Sequence, residues 1–258
     1  MNFLKRIYTG YGVIIFFLLF IIFFVLLLIP IIFRKQYKLV GIFNRWWAKS
    51  LFTLIAVPFR VQYNATLDPK KQYIFCPNHF SYLDIAVMGL NKHNTIFVGK
   101  NDMENIPVFG FMYRNLHITV DRTKLKSRYS TMIKTLEALD EGKSLVLFPE
   151  GGIVTEKDPV MGPFKDGAFR ASIDKQIPIV PVTIPFNWII LPPDKFLLTW
   201  RPLKVIFHEP IDPSGYSIED VGLLRAKVRG IIETELEQNL EHENRSRATR
   251  QDRSSLQT

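Results

Sequence analysis

The sequence predicts an α/β domain with a largely parallel, mixed sheet covered by helices, preceded by a helix that enters a membrane. Three observations carry that prediction. Strand-like and helix-like segments alternate from about Pro58 onward, the order that builds parallel sheets. The strands are mostly apolar throughout, as in a sheet buried on both faces, and do not alternate with polar residues. Finally, Tyr11 to Phe33 runs without a charged or strongly polar side chain.

The elements follow in order. Val13 to Ile29 is wholly aliphatic or aromatic within the longer apolar run, and about 20 such residues suffice for a helix to cross a hydrocarbon layer of about 30 Å. A buried core helix is rarely so long and uniform. A cleaved leader would need small residues at its end, and Ile29-Pro30-Ile31-Ile32 has none. Pro30 either kinks the helix or turns the chain back. From Lys38 to Ile55 a second helix is expected. At about 100° per residue, Lys38, Arg45 and Lys49 form one stripe opposite Leu39, Val40, Phe43, Trp46, Trp47, Leu51, Leu54 and Ile55. Such a helix lies in the headgroup plane with its basic side toward anionic lipid. Ile42 and Phe52 break the stripe, and the competing reading is a helix packed on the soluble domain. Residues 1–57 therefore read as a membrane anchor.

In the remaining chain, strands are expected at Phe59–Tyr63, Tyr73–Cys76, Thr95–Val98, His117–Val120, Ser144–Phe148, Ile177–Ile184 and Lys204–His208. Helices are expected at Ser81–Leu90, Glu104–Tyr113, Ser127–Asp140 and Gly167–Asp174. Leu223, Leu224, Val228, Ile231, Ile232, Leu236 and Leu240 recur at helical spacing and mark a closing amphipathic helix. This sets the folded domain at 58–241, with the polar, Arg- and Ser-rich stretch 242–258 expected to be disordered. Phe186 to Trp200 reads as an aromatic loop that either dips into lipid or packs in the core.

Charge placement agrees with a membrane. The 258 residues carry 33 Lys+Arg against 24 Asp+Glu, a formal net charge of +9. Eight of the basic residues, Lys5, Arg6, Arg34, Lys35, Lys38, Arg45, Lys49 and Arg60, precede Asp68, the first acidic residue. The rest of the chain is nearly neutral. A nucleic-acid binder would spread its excess over the folded surface, so nucleic acid is not an expected partner. Basic residues are denser after the apolar run than before it, which places the domain in the cytoplasm. The single cysteine, Cys76, excludes internal disulfides and reads as a buried hydrophobe. Asn64-Ala65-Thr66 and Asn244-Arg245-Ser246 match the glycosylation pattern, which a cytoplasmic domain would not use.

Two places carry chemistry. In Pro77-Asn78-His79-Phe80-Ser81-Tyr82-Leu83-Asp84, a strand ends at Pro77 and a helix starts near Ser81, which leaves His79 at the mouth of the sheet. On one continuous helix, His79 and Asp84 would stand about 140° apart. They meet only if His79 lies outside the helix and folds back, whereupon the carboxylate fixes one ring nitrogen and frees the other as a base. Alternatively, Ser81-x-x-Asp84 is a capping box and Asp84 merely closes the helix. In the second place, Leu145-Val146-Leu147-Phe148-Pro149-Glu150-Gly151-Gly152, an apolar strand runs into a carboxylate and two glycines. Glycines let backbone N–H groups approach a ligand oxygen.

Together these blocks resemble the 1-acyl-sn-glycerol-3-phosphate acyltransferases of phospholipid synthesis. The resemblance covers roughly Tyr73 to Ile184, in four ordered blocks. They are Asn78-His79 through Asp84; Lys100 through Pro107 and Gly110 to Val120-Asp121-Arg122; Phe148-Pro149-Glu150-Gly151; and Ile177-Pro178-Ile179-Val180-Pro181-Val182. It implies the glycerolipid acyltransferase fold, with His79 as general base and Asp84 as its orienting partner. Asn78, Lys100, Arg122, Glu150, Gly151, Gly152 and Lys165 are then expected to bind substrate. The family's third block usually continues Thr-Arg, the arginine helping to hold the acceptor phosphate. Here those positions are Gly152 and Ile153, which leaves Lys100, Arg122 and Lys165 for that task.

The expected substrates are a lysophospholipid and an acyl thioester, carried by coenzyme A or by an acyl carrier protein, and membrane lipid is an expected partner. No metal and no other cofactor is implied. The chain is expected on a membrane (the inner membrane if bacterial) with its domain facing the cytoplasm. No serine nucleophile is needed, and no G-x-S-x-G is present. An acyltransferase for another lyso-lipid acceptor, a membrane-bound thioesterase or lipid hydrolase, and a noncatalytic lipid-binding protein are the competing functions.

Overall fold

The computed structural model describes residues 2–100, 106–120, 125–154 and 159–255. Seven strands form one sheet: β1 (Phe59–Tyr63), β2 (Ile74–Pro77), β3 (Thr95–Lys100), β4 (Ile118–Val120), β5 (Ser144–Leu147), β6 (Ile179–Thr183) and β7 (Leu203–Phe207). Their spatial order is β1-β7-β6-β2-β5-β3-β4. All neighbours are parallel except β6 and β7, which makes the mixed, largely parallel sheet expected from the sequence. β2 lies at its centre between β5 and β6, with Ile74 opposite Leu145 on one side and Ile179 on the other. The loop that follows β2 therefore opens at the middle of the sheet's C-terminal edge, where open α/β folds place their ligands.

Alternate residues of the apolar strands feed two cores. Phe75, Phe97, Val146, Val180 and Val205 face one, and Ile74, Cys76, Ile96, Leu145 and Ile179 face the other. The first is covered by α1 (Asn2–Ile32), α2 (Lys38–Leu54), α3 (Leu83–Met88), α4 (Phe109–Leu116) and α7 (Asn187–Ile190). The second is covered by α5 (Leu125–Asp140), α6 (Gly167–Lys175) and α8 (Val221–Ser255). On α8, Leu224, Val228, Ile232 and Leu236 are buried at helical spacing, while Leu223 points out. Each buried aliphatic side chain there contributes about 1.5–3 kcal/mol, so a charge at Ile232 would unseat the helix.

Three expectations are corrected, and one of the two alternatives at Pro30 is met. The second helix does not lie free in the headgroup plane. Val40, Gly41, Phe43, Ala48, Leu51 and Phe52 are buried, and a Cβ at Gly41 would come within 2.7 Å of Asn94 Cα. Arg45 leaves the basic stripe to donate to the carbonyls of Asn91, at 2.8 Å, and Lys92. Phe52, which spoiled the lipid-facing pattern, is buried because the pattern belongs to protein packing. The chain turns back after Ile32 through a short 3₁₀ turn at Arg34–Gln36, which starts four residues past Pro30. Tyr8 Oη then reaches Ile55 O at 2.6 Å and Phe16 stacks edge-on to Trp47, so α1 and α2 form an antiparallel hairpin. The helix expected from Glu104 begins, among the described residues, at Phe109 and runs to Leu116; Glu104 itself lies outside them. Lastly, α8 continues helically to Ser255, where composition predicts disorder from 242. An Arg201–Glu243 ion pair ties that extension to the domain, and Glu, Gln, Arg and Ala favour helix there.

The expected boundary helix is long and apolar enough to cross a membrane over Phe3–Ile32. One side of it packs on the domain, with Phe20 against Phe109 and Phe24 against Phe111. The other side exposes Phe3, Ile7, Ile14, Leu18, Ile21, Val25 and Ile32.

Candidate active site

β2 ends at Pro77, and the loop Asn78–Tyr82 carries the chain into α3. Asn78 is fully buried, and both ends of its amide are committed to one residue. Oδ1 accepts from Ile184 N–H at 2.7 Å and Nδ2 donates to Ile184 O at 3.0 Å. It therefore clips the end of β6 to the loop, a structural task in place of the substrate contact expected for it.

Asp84, in the first turn of α3, reaches back over the loop. Its Oδ2 accepts the N–H groups of Phe80 and Ser81, each at 2.8 Å, and lies 3.0 Å from His79 Nδ1. The capping and orienting readings thus coincide: one oxygen closes the helix start and holds the imidazole. Its position assigns the proton to Nδ1, leaving Nε2 as the acceptor. No described residue bonds Nε2. The ring stacks on Phe148 with centroids 4.0 Å apart. Asp84 is fully buried and His79 is 8% exposed, so the dyad is dry except at the ring's outer edge.

Glu150 joins the second motif to the first. Its Oε1 accepts His79 N–H and its Oε2 accepts Gly162 N–H, both at 2.8 Å. Burial, the largest influence, pushes its carboxyl up to about 7, against the lowering pull of those two N–H groups and the imidazole. The adjoining Gly151 has φ +81°, a conformation that favours glycine, and a Cβ there would collide with Lys165 Nζ and lie 2.9 Å from its Cε. Its backbone conformation is what calls for glycine, since the flexible lysine end could shift aside, and Lys165 passes directly over the glycine turn.

Two cavities lie beside the site: Phe148, stacked on His79, lines one, and Tyr82 and Leu83, between His79 and Asp84 in the chain, line the other. One, of about 740 Å³, is lined by Phe148, Pro149, Gly151, Lys165, Arg170 and Arg225 among others. Asp166 sits between the arginines and pairs with both. The other, of about 420 Å³, runs between α1, α2, α3 and α4, and its walls include Phe16, Phe20, Trp47, Tyr82, Ile85 and Met112. It is almost entirely aliphatic and aromatic; the one imidazole on it, His117, is kept neutral by burial, its pKa lowered to about 4.

Of the residues singled out from the sequence, His79, Asp84, Glu150, Gly151 and Lys165 converge here. Gly152 follows in the same turn. Lys100 ends β3, its side chain beyond the described part, and Arg122 lies outside the described residues. Sequence reasoning missed Arg170, Arg225 and Asn187, whose Nδ2 donates to Asp84 Oδ1 at 2.7 Å. Cys76 is fully buried, with its thiol pushed well above its usual range, as expected of a packed hydrophobe. His208, also buried, is held between Thr183 and Asn64, away from Asp84.

A family model described as Acyltransferase matches residues 58–185. The 1-acyl-sn-glycerol-3-phosphate acyltransferase of Haemophilus influenzae is 31% identical over 202 residues, 75% of this chain and 80% of that protein. The chain belongs to the 1-acyl-sn-glycerol-3-phosphate acyltransferase family. A yeast protein of the same description, from Saccharomyces cerevisiae, is 31% identical over 163 residues, with about half of its own length spanned. The crystal structure of the 1-acyl-sn-glycerophosphate (LPA) acyltransferase from Thermotoga maritima superposes with a TM-score of 0.74 over 91% of this chain and 97% of that one. At 21% identity, that likeness bears on the fold. The enzyme is accordingly an O-acyltransferase of phospholipid biosynthesis built on the acyltransferase fold.

Proposed function

We propose that the enzyme moves a fatty acyl group from an acyl thioester to the free hydroxyl of 1-acyl-glycerol-3-phosphate, giving phosphatidic acid. The observation that carries this reading is the His79–Asp84 dyad with a cationic cavity on the side of Phe148, which stacks on His79, and an apolar one on the side of Tyr82 and Leu83. A lysophosphatidate needs a basic site for its phosphate, and an acyl chain needs an apolar slot. The relatives from Haemophilus influenzae and Saccharomyces cerevisiae are named for the same acceptor. Lys165, Arg170 and Arg225 stand where a phosphate could be met, although Ile153 occupies the position of the family's usual arginine.

In this mechanism His79 Nε2 takes the proton of the acceptor hydroxyl as its oxygen attacks the thioester carbonyl carbon. Asp84 holds the ring and stabilises the imidazolium that results. The tetrahedral oxyanion collapses, the C–S bond breaks, and the departing thiolate takes the proton from the imidazolium. Ester and free thiol are the products, whether the thiol belongs to coenzyme A or to an acyl carrier protein. Gly151 N–H is spent on the Phe148 carbonyl at 3.0 Å, so of the two glycines it is Gly152 that can offer a backbone N–H to an approaching oxygen. No group beyond the two substrates is required. The outward apolar side of α1 sits in lipid, where both acyl chains reside, and the basic residues after Ile32 keep the domain on the cytoplasmic side.

The test is consumption of an acyl thioester by the purified enzyme in lipid vesicles, with and without lysophosphatidate. Thiol release that depends on lysophosphatidate and yields phosphatidate is expected. Equal release in its absence would assign the site to thioester hydrolysis. A panel of other lysophospholipids tests the acceptor, with lysophosphatidate expected to give the highest kcat/KM.

A further inference from the structure

We infer that Asn187 is a positioning residue for the acyl transfer, the third member of a His79–Asp84–Asn187 chain. This rests on the reading of His79 as the base. Asp84 carries a charge in a fully buried place and depends on N–H donors for its solvation. Three of them, from Phe80, Ser81 and His79, converge on Oδ2. Oδ1 has a single partner among the described residues, Asn187 Nδ2 at 2.7 Å. Without it, one oxygen of a buried carboxylate is bare, and the carboxylate is free to turn and release the imidazole.

The donor is held in place independently of Asp84. α7 is only one turn long, yet the segment around it is pinned to the His79 loop at both ends. Asn78 holds Ile184 by two bonds, and Ser81 Oγ donates to Leu191 O at 2.7 Å. Asn187 is 1% exposed, and only its NH₂ can face an ionised carboxylate, so its amide orientation is fixed by chemistry. Its Oδ1 has no partner among the described residues. A buried acceptor left unsatisfied is a cost to the fold, tolerated here in return for a donor aimed at Asp84. A residue kept for packing alone would be served better by Leu, which has nearly the same shape and no polar atom to bury.

Two variants test this. Asn187→Leu removes the donor while keeping the volume. kcat is expected to fall about 10- to 100-fold, the range of one hydrogen bond to a buried charge, while KM for either substrate stays within about twofold. Asn187→Asp is read in one preparation at two pH values, with its folded fraction measured at each. At low pH the new carboxyl is protonated and its O–H donates a hydrogen bond to Asp84. As pH rises it ionises against its neighbour and the donor is lost. The ratio of variant to wild-type kcat should therefore be near one at about pH 5.5 and fall at least about tenfold by pH 8.5. A merely structural Asn187 would lower the ratio only as far as the folded fraction falls, which circular dichroism reads at both pH values. A ratio per folded enzyme that stays flat with pH, or an Asn187→Leu enzyme with wild-type kcat, overturns the inference. His79→Ala run alongside separates the two claims. If it is active the base assignment fails, and if it is inactive while both Asn187 variants behave as wild type, only the role of Asn187 fails.

Discussion

The two faces of the sheet differ in kind. On one, α1, α2, α3, α4 and α7 enclose an apolar core and a narrow slot without a formal charge on its wall. On the other, α5, α6 and α8 bury an equally apolar core, but the cavity at its rim carries Lys165, Arg170 and Arg225 against a single carboxylate, Asp166. The dyad sits at the seam. A molecule with an acyl chain at one end and a phosphate at the other is thus matched by a division that the sheet itself maintains. The contrast teaches that binding is divided by face, whereas the chemistry is confined to the loop after the central strand.

The largest effect is expected at the seam. Asp84→Asn presents an amide N–H where a carboxylate oxygen holds His79, so kcat should fall about 10³-fold or more in a folded protein, with KM for the acceptor little changed. A mere tenfold loss would place the chemistry elsewhere. Next comes the cationic face. Lys165→Ala and Arg225→Ala should each raise KM for lysophosphatidate about 10- to 100-fold, from the loss of a charged hydrogen bond, and leave the kinetics of the acyl donor near wild type. If KM for the donor rises instead, the two faces have been assigned the wrong way round.

Glu150 tests the seam by pH. Its carboxyl sits at about 7 in the folded enzyme, above the ordinary carboxylate value it takes when unfolded. Between those values the folded state binds a proton that the unfolded state has lost. Its contribution to stability is therefore complete at low pH and declines as pH rises through 7, by up to about 3 kcal/mol at about 1.4 kcal/mol per pH unit. Glu150→Gln removes the titration, so its melting temperature should vary less between about pH 5 and 8 than that of the wild type; equal variation contradicts this. The smallest effect belongs to the apolar face. Ile85→Trp, on the wall of the slot, should lower kcat/KM for long acyl donors about three- to tenfold relative to short ones, at about 0.8 kcal/mol per excluded methylene. Lysophosphatidate KM should not move.

The legible part of this molecule was the local part. Strand and helix alternation, the apolar stripe of α8 and the five-residue step from His79 to Asp84 all sit within short windows of sequence, where periodicity and turn chemistry act. Glu150 stood out because an acid at the end of an apolar strand is costly without partners. Asn187 and Arg225 gave no such signal. They lie 103 and 141 positions beyond Asp84, and only the strand order brings Asn187 to it. The docking of α2 was misread for a physical reason: an apolar stripe opposite a basic one suits lipid and protein equally. Phe52, buried on the side assigned to headgroups, was the residue that distinguished them.

The central claim is that His79 removes the acceptor proton at the junction of the two faces. It is tested most directly by measuring lysophosphatidate-dependent release of thiol from an acyl thioester by the wild type and His79→Ala, both in vesicles and both shown to be folded. Loss of at least about 10³-fold in kcat, with lysophosphatidate still bound, is the predicted result; acyl transfer at the wild-type rate by His79→Ala would contradict it.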